Sequence, residues 1–238
     1  RFEEEGNTIT LPQAYEAFTG EPAPLNLDLP TLINILHVKG IKFTVGGDWG
    51  HVHATAFVIS AVMPSGDWWI IDTYSVPGLE FDDILHLAMR IRDLYKPIKW
   101  YMDTSAPMFM KTFRKNRMPC ADFTKDVLGG IECVRTKIVD ASGKRRLKII
   151  RSERTEVLLL GLKRHHFKLD SLGEPTADPD DDEIWSDICD SIRYSAQNLF
   201  KPKSGIVMSQ NKNITVDKDV ADRLYQDWTT QKLRELNS

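Results

Sequence analysis

A chain of 238 residues, 42% of them apolar, with a net charge of -3, is long enough for one well-packed domain or one domain with extensions, and its charge argues against a protein that simply coats nucleic acid. Its three cysteines, Cys120, Cys133 and Cys189, are widely spaced with no CxxC pair, which argues for reduced thiols in a cytoplasmic setting rather than a disulfide framework or a zinc site. No apolar run is long enough to cross a bilayer and no signal peptide is visible, so a soluble protein is expected; Arg1 in place of Met predicts a fragment or a processed chain.

Residues 1–40 carry no strong period and are punctuated by Pro12, Pro22, Pro24 and Pro30, which predicts an extended arm with one short helix around Leu32 to Val38. Ile41, Phe43 and Val45 then alternate with Lys42 and Thr44, the period of a half-buried strand, and the run ends in GGDWG. Gly46, Gly47 and Gly50 strip side chains from around Asp48, which admits another backbone or a phosphodiester. Ala54 to Met63 and Trp68 to Val76 are β-rich runs around a turn at Pro64 to Asp67, so three successive strands predict an antiparallel meander. Ile84, Leu85, Leu87, Ala88, Ile91 and Leu94 recur at helical spacing between Phe81 and Tyr95, and Pro97 closes that helix. Ile98 to Asp103 reads as a buried strand ending in a second acid, and a crossover after the helix lays it beside the first strand. Asp48 and Asp103 then end neighbouring strands.

A basic helix follows, through Asn116, carrying Lys111, Arg114 and Lys115. Cys120 to Thr124 suggests one more short strand, and Asp126 to Ile138 a helix interrupted by Gly129 and Gly130. Between Lys137 and Arg151, β-favouring segments flank Asp140 to Gly143, which predicts a hairpin whose returning arm bears Lys144, Arg145 and Arg146. Each basic cluster is a foothold for a polyanion or a solvated face. Ser152 caps a helix reaching about Phe167, with His165 and His166 read as end caps rather than metal ligands. The acidic run at 178–183, in a polar loop from Leu169 to Asp182, lacks the glycine of an EF-hand turn and reads as solvated. A last core helix spans Glu183 to Phe200, and the remainder holds a lysine-rich linker and a helix near Asp219 to Leu236.

In that last core helix Asp187 and Asp190 are three apart and share a face bordering the apolar stripe of Ile184, Ile188 and Ile192. If Asp48, Asp103, Asp187 and Asp190 converge, repulsion of about 4 kcal/mol per close pair, at an effective dielectric near 20, calls for a cation between them. Oxygen-only ligands select Mg²⁺ or Mn²⁺, and two such ions about 4 Å apart suit in-line attack on a phosphodiester.

GGDWG at 46–50, YMDTSAP at 101–107, KDVLGGIECV at 125–134, RRLKII at 145–150 and DICDSIRYS at 187–195 together resemble the C-terminal nuclease domain of the large terminase subunit of tailed bacteriophages, over about residues 40–200. The resemblance implies an α/β, RNase H-like fold of the RuvC type, a mixed central sheet with an antiparallel meander and flanking helices. It implies Asp48, Asp103, Asp187 and Asp190 as catalytic acids holding two Mg²⁺ or Mn²⁺ ions. The family varies at the first position of the closing pair, so Asp187 and Asp190 are not ranked. Lys111, Arg114, Lys115, Lys144, Arg145 and Arg146 become candidate contacts to double-stranded DNA. The portal ring and the small terminase subunit are implied partners, in the cytoplasm of an infected bacterial host. The family also has an ATPase motor, whereas no GxxxxGK[ST] loop occurs here. Residues 1–40 are accordingly read as a linker from an upstream ATPase domain, 41–200 as the nuclease domain including the basic hairpin near 137–151, and 201–238 as a tail with one helix. A RuvC-like junction resolvase or other RNase H-like nuclease, and a noncatalytic DNA or portal docking module, are the alternatives.

Overall fold

Six strands form one mixed sheet in the computed structural model of this chain, which describes residues 2–50, 54–164 and 185–201 together with the backbone of 167–169 and 175–179. They are β1 (Thr8–Ile9), β2 (Phe43–Asp48), β3 (Ala54–Val62), β4 (Trp68–Pro77), β5 (Lys99–Met102) and β6 (Leu147–Ile150), in the spatial order β1-β6-β4-β3-β2-β5. The predicted meander is present, β2 with β3 and β3 with β4 pairing antiparallel. β5 joins β2 in parallel, with Thr44 opposite Lys99 and Gly46 opposite Tyr101, so the predicted crossover also holds. β6 runs parallel to β4, and β1 parallel to β6. The helices are α1 (Glu4–Asn7), α2 (Leu11–Thr19), α3 (Leu29–Val38), α4 (Phe81–Tyr95), α5 (Pro107–Lys115), α6 (Val127–Ile138), α7 (Glu156–Arg164) and α8 (Ser186–Phe200).

Side-chain alternation along the strands divides the core into two layers. Phe43, Val45, Phe57, Ile59, Trp69, Ile71, Trp100 and Met102 pack on one face with Leu32 and Leu36 of α3, Ile84, Ala88 and Ile91 of α4, and Met110 and Phe113 of α5. Ala56, Val58, Trp68, Ile70, Leu147 and Ile149 pack on the other with Val134 and Ile138 of α6, Leu158 and Leu159 of α7, and Ile188, Ile192 and Ala196 of α8. Each large side chain withdrawn from water in this way contributes about 1.5–3 kcal/mol.

Residues 1–40 depart from the extended arm expected of them. Pro12 and Pro30 lie in the first turns of α2 and α3, where a missing N–H costs nothing, and Thr10 and Asp28 cap those helices through the N–H groups of Gln13 and Thr31. The prolines therefore start helices instead of breaking them. The segment is also tied to the sheet: the Asn7 Nδ2 group, fully buried, donates to the carbonyls of Ile138 at 2.9 Å and Leu147 at 3.0 Å.

The basic hairpin is likewise corrected in its first leg. Asp126 caps α6 through the Gly129 N–H, and Val134 and Ile138 hold the helix in the core, so residues up to Ile138 are helical. Only the turn and the returning strand remain as predicted, closed by Asp140 N–H to Lys144 O at 2.9 Å and Arg146 N–H to Lys137 O at 3.0 Å. Cys120 makes a single bridge to Trp100 rather than a strand. The helix expected from residue 153 begins as a 3-10 turn, Glu153–Thr155, before α7. The loop expected from Leu169 to Asp182 contains a strand, β8 (Pro175–Pro179), antiparallel to β7 (Phe167–Leu169); a two-stranded ribbon has only edge strands, where proline is tolerated. His165, His166, residues 180–183 of the acidic run, Ile184 of the expected apolar stripe and the tail helix near 219–236 lie outside the described residues. Among the described residues no helix is long and apolar enough to cross a membrane.

Candidate active site

Strand parity fixes where the two strand-end acids face. Phe43 and Val45 enter the layer shared with α3 and α4, so Thr44, Gly46 and Asp48 face the opposite side, where α8 crosses β2. Gly46 is what lets α8 come close: a Cβ there would lie 1.9 Å from the Ser191 carbonyl oxygen. By the same alternation Asp103, beyond Trp100 and Met102, faces α8 beside Asp48. The two strand ends are locked together by Asp103 N–H to Gly47 O at 2.9 Å and by the Trp49 indole N–H to Asp103 O at 2.7 Å. The Trp49 ring is itself buried edge-on between Phe109 and Phe113.

From above, α8 contributes Asp187 and Asp190. The Ala54 N–H donates to Asp187 Oδ2 at 2.9 Å, and the Ser191 hydroxyl donates to the Ala56 carbonyl at 3.2 Å, seating the helix on β3. Arg193 grips Asp190 with Nε at 3.0 Å and Nη2 at 2.5 Å, while the Tyr194 hydroxyl lies 3.4 Å from Asp190 Oδ2. Gly130 of α6 leaves room for the Arg193 stem, since a Cβ there would stand 2.6 Å from Arg193 Cγ.

Three of the predicted acids act on the fourth. Asp48 is pushed up to about 7, first by burial and then by the charges of Asp190, Asp103 and Asp187, against the Trp49 N–H that it accepts. Burial and the charges of Asp48, Asp190 and Asp103 also raise the Tyr194 phenol. Asp103 behaves oppositely: burial would raise it, but bonds from Lys125, the Ser105 N–H at 2.8 Å and the Ser105 hydroxyl at 2.7 Å hold it below the usual carboxylate range. Lys125, Ser105 and Arg193 are the neighbours that the spacing of the acids alone did not single out. Ser105 carried the one local signal, a hydroxyl two residues past an acid, which closes an Asx-type turn.

Oxygen-only, partly buried carboxylates whose charges bear on Asp48 would suit a hard divalent cation by their donor chemistry and charge. As the side chains stand, no group of three or more His, Cys, Asp or Glu among the described residues is arranged to hold an ion. Three of the four acids hold other partners: Asp103 with Lys125 and Ser105, Asp190 with Arg193, and Asp187 with Ala54.

The six basic candidates separate into two kinds. Arg114 binds Asp122 at 2.5 Å, Arg145 binds Glu3 at 2.5 Å and Asn7 Oδ1 at 3.0 Å, and Arg146 bridges Asp67 and Asp140, each at 3.5 Å. These three arginines fasten the chain to itself. Lys111, Lys115 and Lys144 are exposed, with no side-chain partner among the described residues.

No protein-family model matches the sequence, nor does any curated protein. Solved structures do. The large terminase of a thermophilic bacteriophage, in complex with ADP, matches 83% of this chain at 17% identity and a TM-score of 0.58, and this chain spans 43% of its length. The large terminase nuclease domain of bacteriophage SPP1 with bound Mn matches 66% of this chain and 86% of that one, at 18% identity and a TM-score of 0.51. The P22 large terminase nuclease domain matches 82% of this chain and 88% of that one, at 11% identity and a TM-score of 0.53. The described body therefore has the RNase H-like fold of large terminase nuclease domains.

Proposed function

We propose that this chain is the metal-dependent endonuclease domain of a viral DNA-packaging terminase, cutting concatemeric double-stranded DNA by two-metal phosphodiester hydrolysis. The observation that carries the reading is the electrostatic convergence on Asp48, where burial and three further carboxylates raise an acid to about 7. Such a cluster is destabilising without cations and suited to hold them. Asp48 and Asp103 would hold the ions from the strand ends, and Asp187 and Asp190 would add oxygens from α8. Bound Mg²⁺ or Mn²⁺ would supply Lewis-acid stabilisation of the charge developing on phosphate oxygens. The protein's own work is positional. Trp49 fixes the separation of the two strand ends, Arg193 orients Asp190, and Lys111, Lys115 and Lys144, without side-chain partners among the described residues, offer phosphate contacts.

The SPP1 neighbour, a nuclease domain with bound Mn, supports the metal. The neighbour from the thermophilic phage, more than twice as long as the match and complexed with ADP, supports an ATPase domain elsewhere in a longer parent chain, joined through the segment containing residues 1–40. Contacts with the portal ring and small terminase subunit, in the host cytoplasm, complete the proposal.

A plasmid digestion series tests it. Linear products should appear with Mn²⁺ or Mg²⁺ and be absent with Ca²⁺ or EDTA, in wild type but not in Asp48→Asn. Preference for branched over linear duplex would transfer the assignment to a junction resolvase. No cleavage with either metal would leave a noncatalytic docking module.

A further inference from the structure

Two cationic side chains grip acids of the cluster, one on Asp190 and one on Asp103, and they are held in different ways. Arg193 lies on the same helix as Asp190, its side chain only 6% exposed, fixed by two bonds and by the close approach of Gly130. Lys125 comes from the segment ahead of α6 and pairs with Asp103 Oδ1 while its side chain stays 35% exposed. Its backbone is clamped: Gln197 Nε2 donates to the Thr124 carbonyl at 2.6 Å, and the Asp126 N–H donates to Gln197 Oε1 at 3.2 Å. On one side Phe123 packs 5.7 Å from the Tyr194 ring, and on the other Lys201 pairs with Asp126 at 2.5 Å. The lysine is thus anchored at its root and reaches Asp103 through a partly exposed stem, with its ammonium 5.4 Å from the centre of the Tyr194 ring.

Asp103 Oδ1 accepts from both Lys125 and the Ser105 N–H, and Oδ2 from the Ser105 hydroxyl. Any cation that takes Asp103 as a ligand must compete for those lone pairs and approach an ammonium of like sign. We propose that Lys125 is a resident counter-cation that neutralises Asp103 in the metal-free protein and yields it to a divalent ion, so that this lysine sets the metal affinity of the site. This rests on the metal-dependent reading given above. Arg193 cannot serve in the same way, because it is buried and has nowhere to withdraw. A lysine on a flexible four-carbon stem, one-third exposed, leaves the carboxylate by rotation alone.

Calorimetric titration of Mn²⁺ into the EDTA-stripped chain decides it, using wild type, Lys125→Gln, Lys125→Arg and Lys42→Gln, with the melting temperature of each metal-free protein measured alongside. Lys125→Gln should bind Mn²⁺ about tenfold tighter, a modest share of what removing one charge a few ångströms from a dication provides. It should also melt lower without metal and gain more from Mn²⁺ than wild type does. Lys125→Arg, which keeps the charge, and Lys42→Gln, at the end of β2 opposite Asp48, should both bind Mn²⁺ like wild type. Equal or weaker binding by Lys125→Gln, with wild type binding normally, overturns the role of Lys125 and leaves the metal reading intact. No binding by wild type or by Lys125→Gln removes both.

Discussion

The two ends of the β2–β5 strand pair carry opposite charges and treat them in opposite ways. At the carboxyl ends, Asp48 and Asp103 lie under α8 together with Asp187 and Asp190, and burial with mutual repulsion brings Asp48 to about 7. At the amino ends stand Lys39 and Lys42 ahead of or entering β2, and Lys96 and Lys99 around the start of β5, all exposed and without side-chain ion pairs among the described residues. Their fields are felt: burial, then the charges of Lys96 and Lys42, lower the nearby His37 imidazole against a Tyr95 backbone contact that raises it. Yet water screens four lysines at little cost, whereas four carboxylates pressed between a sheet and a helix oppose one another. Enclosure by α8, more than the number of like charges, separates an end of opposed charges from a solvated one.

Four experiments test that contrast. The largest effect is expected from Asp103→Ala, which should lower Mn²⁺-dependent cleavage by more than about a hundredfold, the upper end of the loss from removing a ligand's supporting partner. Circular dichroism should show the fold retained, and Lys99→Ala should cut like wild type. If both variants cut normally, the two ends do not differ in function.

Next is pH. The native state holds the Asp48 proton up to about 7, well above the ordinary carboxylate range, so folding takes up a proton between these values. The stability that this contributes is complete below pH ~4 and is lost as pH rises through about 7, on the order of 4 kcal/mol at about 1.4 kcal/mol per unit. Urea unfolding in EDTA across that window should show the decline, and Asp48→Asn should flatten it. A flat wild-type profile would mean that the acids are solvated after all.

Third, the glycines of the two ends should respond unequally. Gly46→Ala drives a methyl into the Ser191 carbonyl and should cost about 3 kcal/mol, the upper range for overpacking. Gly40→Ala meets open space and pays only for its φ of 80°, about 1 kcal/mol. Equal losses would show that α8 moves away from β2 without difficulty. The smallest effect belongs to Lys96→Ala, expected to change stability by no more than about 0.5 kcal/mol, as for an unpaired surface residue.

The part of this contrast that was legible in the sequence is the part written in periods. Alternation through Ile41, Phe43 and Val45 placed Asp48 at a strand end, helix spacing identified α4 and forced the crossover that delivers Asp103, and a three-residue separation put Asp187 and Asp190 on one face. What escaped depended on partners distant in the chain. Nothing local to Lys125 points to Asp103, and nothing in Asn7 points to the carbonyls of Ile138 and Leu147. A two-residue strand such as β1 is too short to carry a period, and Pro12 and Pro30 read as breaks until their capping residues are seen at work.

The tethering of the first residues has a mechanical consequence. Glu3 pairs with Arg145, Glu4 with Arg151 and Lys163, Lys148 reaches the Gly6 carbonyl, and β1 is zipped to β6 at the sheet edge opposite β5. Tension pulling on the backbone ahead of Glu4 is therefore taken up in shear by that ladder and its ion pairs. β4 and β3 stand between that edge and the strands bearing Asp48 and Asp103, so a load on the first residues enters the sheet at the margin away from those two acids.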